Sequence, residues 1–383
     1  MRVSRWLTFV VAAIIVAACA ANAARETQTD TEKKLGKEGA AEAEKSLKFV
    51  KDEGYVKRVE KIGQELAATA RTTKVPAAYG NADLADFTYT FRVVDDKEIN
   101  AFSLPAGYVY VNKGLIDDVD SDDELAGVLA HEIAHVAHHH MMKLLHKQAQ
   151  LDGTVFLLIA AAVIGKVQGS DMQNIFYGAK LVEIAKLNAY SQEAEDDADN
   201  TAIEYVLKTK HNPVGVLTFM EKLAQKEAFD PDPGILRTHP PAAKRAESIR
   251  AALEKQGVPI NRWGVTSGME ASARDTAIGN KKVWEVVIGD RVIFQAADTS
   301  GATSAERAGA AAERINHQLE QNPQQWEVRV GNDGSAVYVR QQLVVDVLQA
   351  DADLVGASRE AVAIRAKESI QAALTSSQLR FVY

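Results

Sequence analysis

Val128-Leu129-Ala130-His131-Glu132-Ile133-Ala134-His135-Val136-Ala137 places a His-Glu-x-x-His pattern inside an apolar run. At about 100° per residue in a helix, His131 and His135 project from nearly the same side, one turn apart. Two imidazoles so placed share a divalent zinc ion, and Glu132 beside them can act on a water bound to it. The plain alternative is a surface helix carrying two histidines. The apolar context, carboxylates farther down the chain and the strand-like segments before it favour the metal.

The start of this helix is marked. Ser121 can cap, Glu124 follows three residues on in a capping-box arrangement, and Asp122 and Asp123 suit the positive end of the dipole. The pattern predicts a helix to about Gln150, ending before Asp152-Gly153. His138 falls near the stripe of His131, whereas His139, His140 and His146 point elsewhere. Zinc with two helix ligands needs its third from another direction, so His138, His139 and His140 read as helix-face or supporting residues.

A second key helix is predicted over Ala179 to Leu207, carrying Tyr190-Ser191-Gln192-Glu193-Ala194-Glu195-Asp196-Asp197-Ala198-Asp199. Such a density of carboxylates usually marks a solvated face. Here Glu195 and Asp199 are one turn apart and share their side with Ser191, Ala198 and Ala202, small residues that permit close packing. Glu195 can complete a His-His-Glu set, with Asp199 accepting an N–H from a ligating imidazole. Glu193, Asp196 and Asp197 point elsewhere on the wheel.

Between residue 80 and the first helix, Phe87 to Val94 and Gly107 to Val111 are rich in β-branched and aromatic residues and read as strands. Pro105 lacks an N–H, which suits the start of a strand or an edge. An edge strand beside the metal helix would offer backbone groups to an extended peptide; two ordinary strands of a core sheet fit equally.

Composition sets the outer bounds. The 383 residues are 46% hydrophobic and 25% charged, enough for one large core or two modest ones, and the net charge of -8 argues against nucleic acid as the main partner. The lone Cys19 excludes an internal disulfide framework. Arg2 and Arg5 precede an apolar run from Trp6 to Ala18, of signal-peptide length and too short for a membrane span. Val16-Ala17-Ala18-Cys19 resembles a bacterial lipobox, with Cys19 as the lipidated residue; cleavage after Ala21-Asn22-Ala23 is the competing reading. Loss of Arg2 and Arg5 takes the charge from -8 to -10.

The expected organisation is a signal peptide at 1–18, a lipidated tether at 19–46 and a metallopeptidase-like domain at 47–256. A linker at 257–279 and a small domain at 280–383 follow. Apolar residues at helical spacing (Phe49, Val50, Val56, Val59, Ile62, Leu66) predict one or two helices at the start of the fold. Thr154 to Ile164 is strongly apolar and reads as a buried helix or a lipid-touching surface. Strands at Val283–Ile288, Arg291–Gln295, Trp326–Val330, Ala336–Val339 and Leu343–Leu348, with helices near Ser304–Glu320 and Ser358–Leu374, predict a small α+β domain. Its residues carry no chemistry that we can read, so a binding or positioning module for a protein partner is the expectation.

On four motifs the chain resembles the M48 family of zinc metallopeptidases, which are gluzincins, over residues 47 to 252. Asn100 to Leu115 resembles the family's edge-strand segment, Leu125 to His140 its zinc helix, and Tyr190 to Asp199 its third-ligand helix. Arg237-Thr238-His239-Pro240 with Arg245 resembles the motif and trailing arginine of periplasmic members. Ala106, Gln192 and Ala202 depart from the pattern, and Gln192 puts in doubt an arginine contact near the site. The resemblance implies a mainly helical α+β zincin-like domain with a small edge sheet. It also implies one zinc on His131, His135 and Glu195, with Asp199 and Arg245 supporting them. His239 is either a structural residue, a fourth ligand or an oxyanion donor.

The expected function is a zinc endopeptidase acting on misfolded or unassembled envelope proteins, with Glu132 as general base. Its expected place is the periplasmic face of a Gram-negative outer membrane, held by Cys19. An envelope chaperone or assembly factor with a largely closed zinc site is the alternative, and a membrane-integral peptidase using Thr154 to Ile164 a third.

Overall fold

The computed structural model describes residues 29–81, 86–155, 171–187, 190–229, 234–235, 239, 242–266 and 270–379. The signal segment, Cys19 and most of Thr154–Ile164 lie outside them, as do Arg237, Thr238 and Pro240. Among the described residues no helix is long and apolar enough to cross a membrane. The described residues form a mainly helical α+β architecture with three small sheets. The chain divides into two compact units: Met1–Val119, Leu125–His211 and Phe229–Ile249 form the first; Asp120–Glu124, Asn212–Ala228 and Arg250–Tyr383 form the second.

In the first unit, residues 29–46 are helical (α1), and Leu35, Ala40 and Ala43 are buried. The part of the expected tether that is described is therefore built into the core. Its inner face is small: a Cβ on Gly36 would lie 2.1 Å from the Pro105 carbonyl oxygen, and one on Gly39 2.7 Å from Leu181. Residues that gain their burial by close backbone approach leave no apolar periodicity to read. Phe49 and Val50 are extended and bridge to the strand ending at Val94, not helical as expected. Helix α2, Glu53–Thr72, is capped by Asp52 and buries Val59, Ile62 and Leu66. Each such side chain contributes roughly 1.5–3 kcal/mol by leaving water.

Strands β1 (Thr90–Val94), β2 (Ala101–Leu104) and β3 (Tyr108–Asn112) form a sheet of order β1-β3-β2. Within the segment expected at the edge, β2 lies at an edge of the sheet and β3 is the central strand, parallel to β1 and antiparallel to β2. Pro105 occupies the tight turn between β2 and β3, where its missing N–H costs no ladder bond. Ala106 and Gly107 turn the chain there with positive φ.

Helix α3 (Lys113–Asp118) leads to α4, Asp122–Ala137, entered through a hydrogen bond from the Glu124 N–H to Ser121 Oγ of 3.2 Å. The single helix expected to Gln150 is broken. His139 is left-handed (φ 56°), and α5, His140–Ala149, starts afresh in a new direction. The helix expected over Ala179–Leu207 is likewise two, α6 (Asp171–Leu187) and α7 (Gln192–Val206). Ser191 is extended and caps α7 by accepting the Ala194 N–H.

The second unit contains α8 (Val214–Phe229), and buried Glu221 there holds the Arg250 and Arg262 guanidiniums at 2.8 and 2.6 Å. Helix α9 covers Ala242–Lys255; its residues up to Ile249 belong to the first unit and those from Arg250 to the second. The stretch expected as a linker is partly structural. Trp263 is buried in the core of this unit, and β4 occupies Ala271–Ile278. That strand reads Ala-Ser-Ala-Arg-Asp-Thr-Ala-Ile, so it carries few of the bulky side chains that mark strands. It pairs with β5 (Lys281–Ile288), which pairs with β6 (Arg291–Ala296). A second meander runs β7 (Val328–Val330), β8 (Ala336–Val339), β9 (Gln342–Asp346). The two meanders share a detail: each second hairpin turns through a positive-φ residue, Gly289 or Arg340, and carries one bulge, at Val286/Val287 or Val337/Tyr338. Helices α10 (Ser304–Leu319), α11 (Gln349–Leu354) and α12 (Arg359–Leu379) complete the unit.

Candidate metal centre

Four side chains converge within the first unit: His131 and His135 from α4, Glu195 from α7, and His239 from the bend before α9. One donor atom from each lies within 4.8 Å of every other, and all four residues are buried. His131 Nε2 is 3.0 Å from His135 Nε2 and 3.3 Å from His239 Nδ1. Glu195 carboxylate oxygens stand 3.4 Å from His131 Nε2, 3.5 Å from His135 Nε2 and 3.0 Å from His239 Nδ1. Four donors about 2.0–2.1 Å from a tetrahedral zinc would be spaced roughly 3.3–3.4 Å apart, so the set has the size and chemistry for that ion. Three ring nitrogens facing one another also carry too few protons to bond each other pairwise.

Supporting groups fix these donors. Asp199 Oδ1 lies 2.9 Å from His131 Nδ1, the ring atom away from the cluster. Arg245 of α9, fully buried, donates to both Asp199 oxygens at 2.7 and 2.8 Å and to the His239 carbonyl at 3.1 Å, and its Nη1 is 2.8 Å from Glu195. Tyr190 stacks on the His135 ring with centroids 4.0 Å apart. His140 Nδ1 is 2.9 Å from His135 Nδ1. Glu132 Oε1 is 3.5 Å from His239 Nε2, and its Oε2 is buried without a hydrogen-bond partner among the described residues.

The electrostatics follow from this packing. Burial alone would raise Glu195 and Asp199. The His239 and Arg245 charges override it at Glu195, with hydrogen bonds from His131 and His239, and hold that carboxyl well below the usual range. Asp199 is lowered mainly by Arg245. Burial and Arg245 oppose protonation of His131, but hydrogen bonds to Asp199 and Glu195 raise its pKa to about 9. His131 therefore holds a proton at neutral pH, which a bound metal would displace. Burial, then the neighbouring His131 charge, lowers His135 well below its ordinary value. Burial pushes His140 down to about 3, so its ring is neutral.

The structure brings His131, Glu132, His135, Glu195, Asp199, His239 and Arg245 together; Cys19 lies outside the described residues. His138 bonds to Thr201 Oγ1 at 2.7 Å and His139 to Glu32, so neither is among the clustered donors. Sequence reasoning read His140 as a helix-face or supporting residue without naming its contact with His135, because a straight helix points His140 away. It also passed over Asp197, which looked solvated. Its carboxylate accepts the backbone N–H groups of Ala78, Tyr79 and Gly80 at 2.8, 2.6 and 3.2 Å. The Tyr79-Gly80 break was the signal available for that loop.

Comparisons with known proteins bear on the family of this chain. The family model described as Peptidase family M48 matches residues 57–253. Metalloprotease LoiP of Escherichia coli is 32% identical over 190 residues, covering 49% of this chain and 71% of LoiP. Metalloprotease YcaL of the same organism is 28% identical over 222 residues, 57% of this chain and 78% of YcaL. The beta-barrel assembly-enhancing protease of Yersinia pestis is 25% identical over 230 residues, 58% of this chain but only 43% of that protein. Residues 285–377 match a domain of unknown function, DUF8459.

Proposed function

The chain belongs to peptidase family M48, a family of zinc metallopeptidases, and from that premise we propose that its buried His-His-Glu centre hydrolyses peptide bonds with Glu132 as general base. The observation that carries this reading is the four-donor cluster with an unpartnered Glu132 oxygen beside it. A zinc ion held by His131, His135 and Glu195 would polarise the scissile carbonyl and lower the pKa of a water there to about 7. Glu132 takes the proton of the attacking water at its free oxygen and passes a proton to the leaving amine. Asp199 fixes the ring orientation of His131. Arg245 offsets the charge of Glu195 and Asp199.

His239 takes the place of a fourth donor. In that position it closes the site, and it must withdraw for a carbonyl or water to enter. A His239→Ala variant that binds zinc as tightly as the parent chain would rule out this role. The same closed geometry favours the second reading, an envelope assembly factor that binds without cutting.

The substrates we propose are misfolded or unassembled envelope proteins. The support is the exported character of the N-terminal sequence and the likeness to proteins named for β-barrel assembly. Lipidation at Cys19 would hold the chain on the outer membrane, facing the periplasm; Cys19→Ala should then release it from membranes. For the activity itself, the test is cleavage of unfolded casein by the purified chain. Chelation should abolish cleavage and one equivalent of zinc restore it. Suppression of aggregation without cleavage in any metal state would support the assembly factor instead.

A further inference from the structure

We infer that His140 is a positioning residue for the metal centre, accepting the Nδ1–H of His135 at its own Nδ1 and so leaving the His135 Nε2 lone pair for the metal. This rests on the metal-site reading above and adds a residue to it. The two Nδ1 atoms are 2.9 Å apart, so one ring donates and the other accepts. His135 Nε2 faces the donor cluster, 3.0 Å from His131 Nε2 and 3.5 Å from Glu195. A neutral imidazole has one N–H, so a lone pair at Nε2 puts the His135 proton on Nδ1 and makes His140 the acceptor.

An acceptor at Nδ1 must carry its proton on Nε2, which is on the side of the Asp197 carboxylate: Oδ2 lies at 4.0 Å, beyond hydrogen-bond distance, and Nε2 has no hydrogen-bond partner among the described residues. Asp197 is held by three backbone N–H groups of residues 78–80. A Cβ at Gly80 would lie 2.9 Å from His140 Nε2 and 2.6 Å from His138 Cβ, so glycine lets this loop close over the ring. Asp199 of α7 touches His131 directly at 2.9 Å, whereas Asp197 of the same helix stands 4.0 Å from His140 without a hydrogen bond to it.

The broken helix also finds its purpose here. Five residues along a straight α-helix turn a side chain roughly 140° from its starting direction, away from His135. The left-handed His139 (φ 56°) resets the direction and returns His140 to His135. A non-glycine residue there is strained. It is held by the Glu32 carboxylate at its Nδ1 and by the Phe87 ring edge-on to it, centroids 5.7 Å apart.

The test is the tautomeric state of the histidines in the zinc-loaded, unmutated chain, read from long-range ¹H–¹⁵N correlations of the imidazoles. The expected result is His135 bound through Nε2 with a proton on Nδ1, and His140 neutral with its proton on Nε2. His140 protonated at Nδ1 would overturn the inference, whereas a chain that takes up no zinc would instead defeat the metal-site reading. Variants give a second readout by zinc competition. His140→Phe keeps a ring without an acceptor and should weaken zinc binding roughly ten- to a hundredfold, and His140→Asn, with an oxygen near the Nδ1 position, should recover most of it. A Phe variant with parental zinc affinity would also overturn the proposal.

Discussion

Helices α4 and α10 are each 16 residues long, and they are stabilised in opposite ways. Helix α10 buries a stripe of Ala308, Ala311, Ala312, Ile315 and Leu319, with Ser304 and Gln318 beside it, and leaves Glu306, Glu313 and His317 exposed, under a complete capping box at Thr303 and Glu306. Helix α4 buries His131, Glu132 and His135 among its apolar residues. The first contributes by ordinary burial. The second carries groups whose desolvation is costly unless charges and hydrogen bonds answer them. Arg245, Asp199 and Glu195 supply that answer, so the stability of the α4 region and its chemistry depend on the same side chains.

The contrast can be broken most strongly at Arg245. Arg245→Ala leaves Glu195 and Asp199 as buried carboxylates without their cation, and should cost the metal-free chain about 3–5 kcal/mol in denaturant unfolding. Bound zinc replaces part of that positive charge, so the loss should be smaller in the zinc form. Equal losses in both forms would contradict the shared role.

Ile315→Ala tests the other side. It should cost roughly 2–5 kcal/mol, as large-to-small changes in a core do, while zinc affinity and cleavage at a temperature where the variant is folded stay unchanged. Thr303→Ala, measured the same way, should cost about 1 kcal/mol by loss of the cap.

The smallest effect is on pH dependence. Hydrogen bonds from the Thr303 backbone N–H and hydroxyl hold the Glu306 carboxyl below its usual range. A carboxyl depressed in the folded state stabilises it at neutral pH and loses that contribution as pH falls through the folded value. The stability difference between the parent and Glu306→Gln should therefore be present at pH 7 and close as the pH drops below about 4.

The two helices also differ in how far they could be read in advance. In the C-terminal region the strand boundaries, the 331–334 hairpin turn and both long helices were legible, because apolar alternation and turn residues alone decide them. β4 was missed, for want of bulky side chains, and so was the short helix α11, Gln349–Leu354. Around the metal the pattern of His131, Glu132 and His135 and the one-turn spacing of Glu195 and Asp199 were legible, since each depends on helix geometry within a few residues. The break at His139 was not. Nothing in a run of three histidines marks a left-handed residue, and the groups that hold it, Glu32 and Phe87, come from distant parts of the chain. Asp197 was hidden for a similar reason: among so many carboxylates, only the folded loop at 78–80 singles it out.

The central claim is that Glu132 acts on the substrate's attacking water beside a metal held by its neighbours. Its most direct test is Glu132→Gln, assayed for bound zinc and for cleavage of unfolded casein in the same preparation. We predict one zinc per chain with cleavage reduced at least about a hundredfold. Parental cleavage by a zinc-loaded Glu132→Gln chain would contradict it.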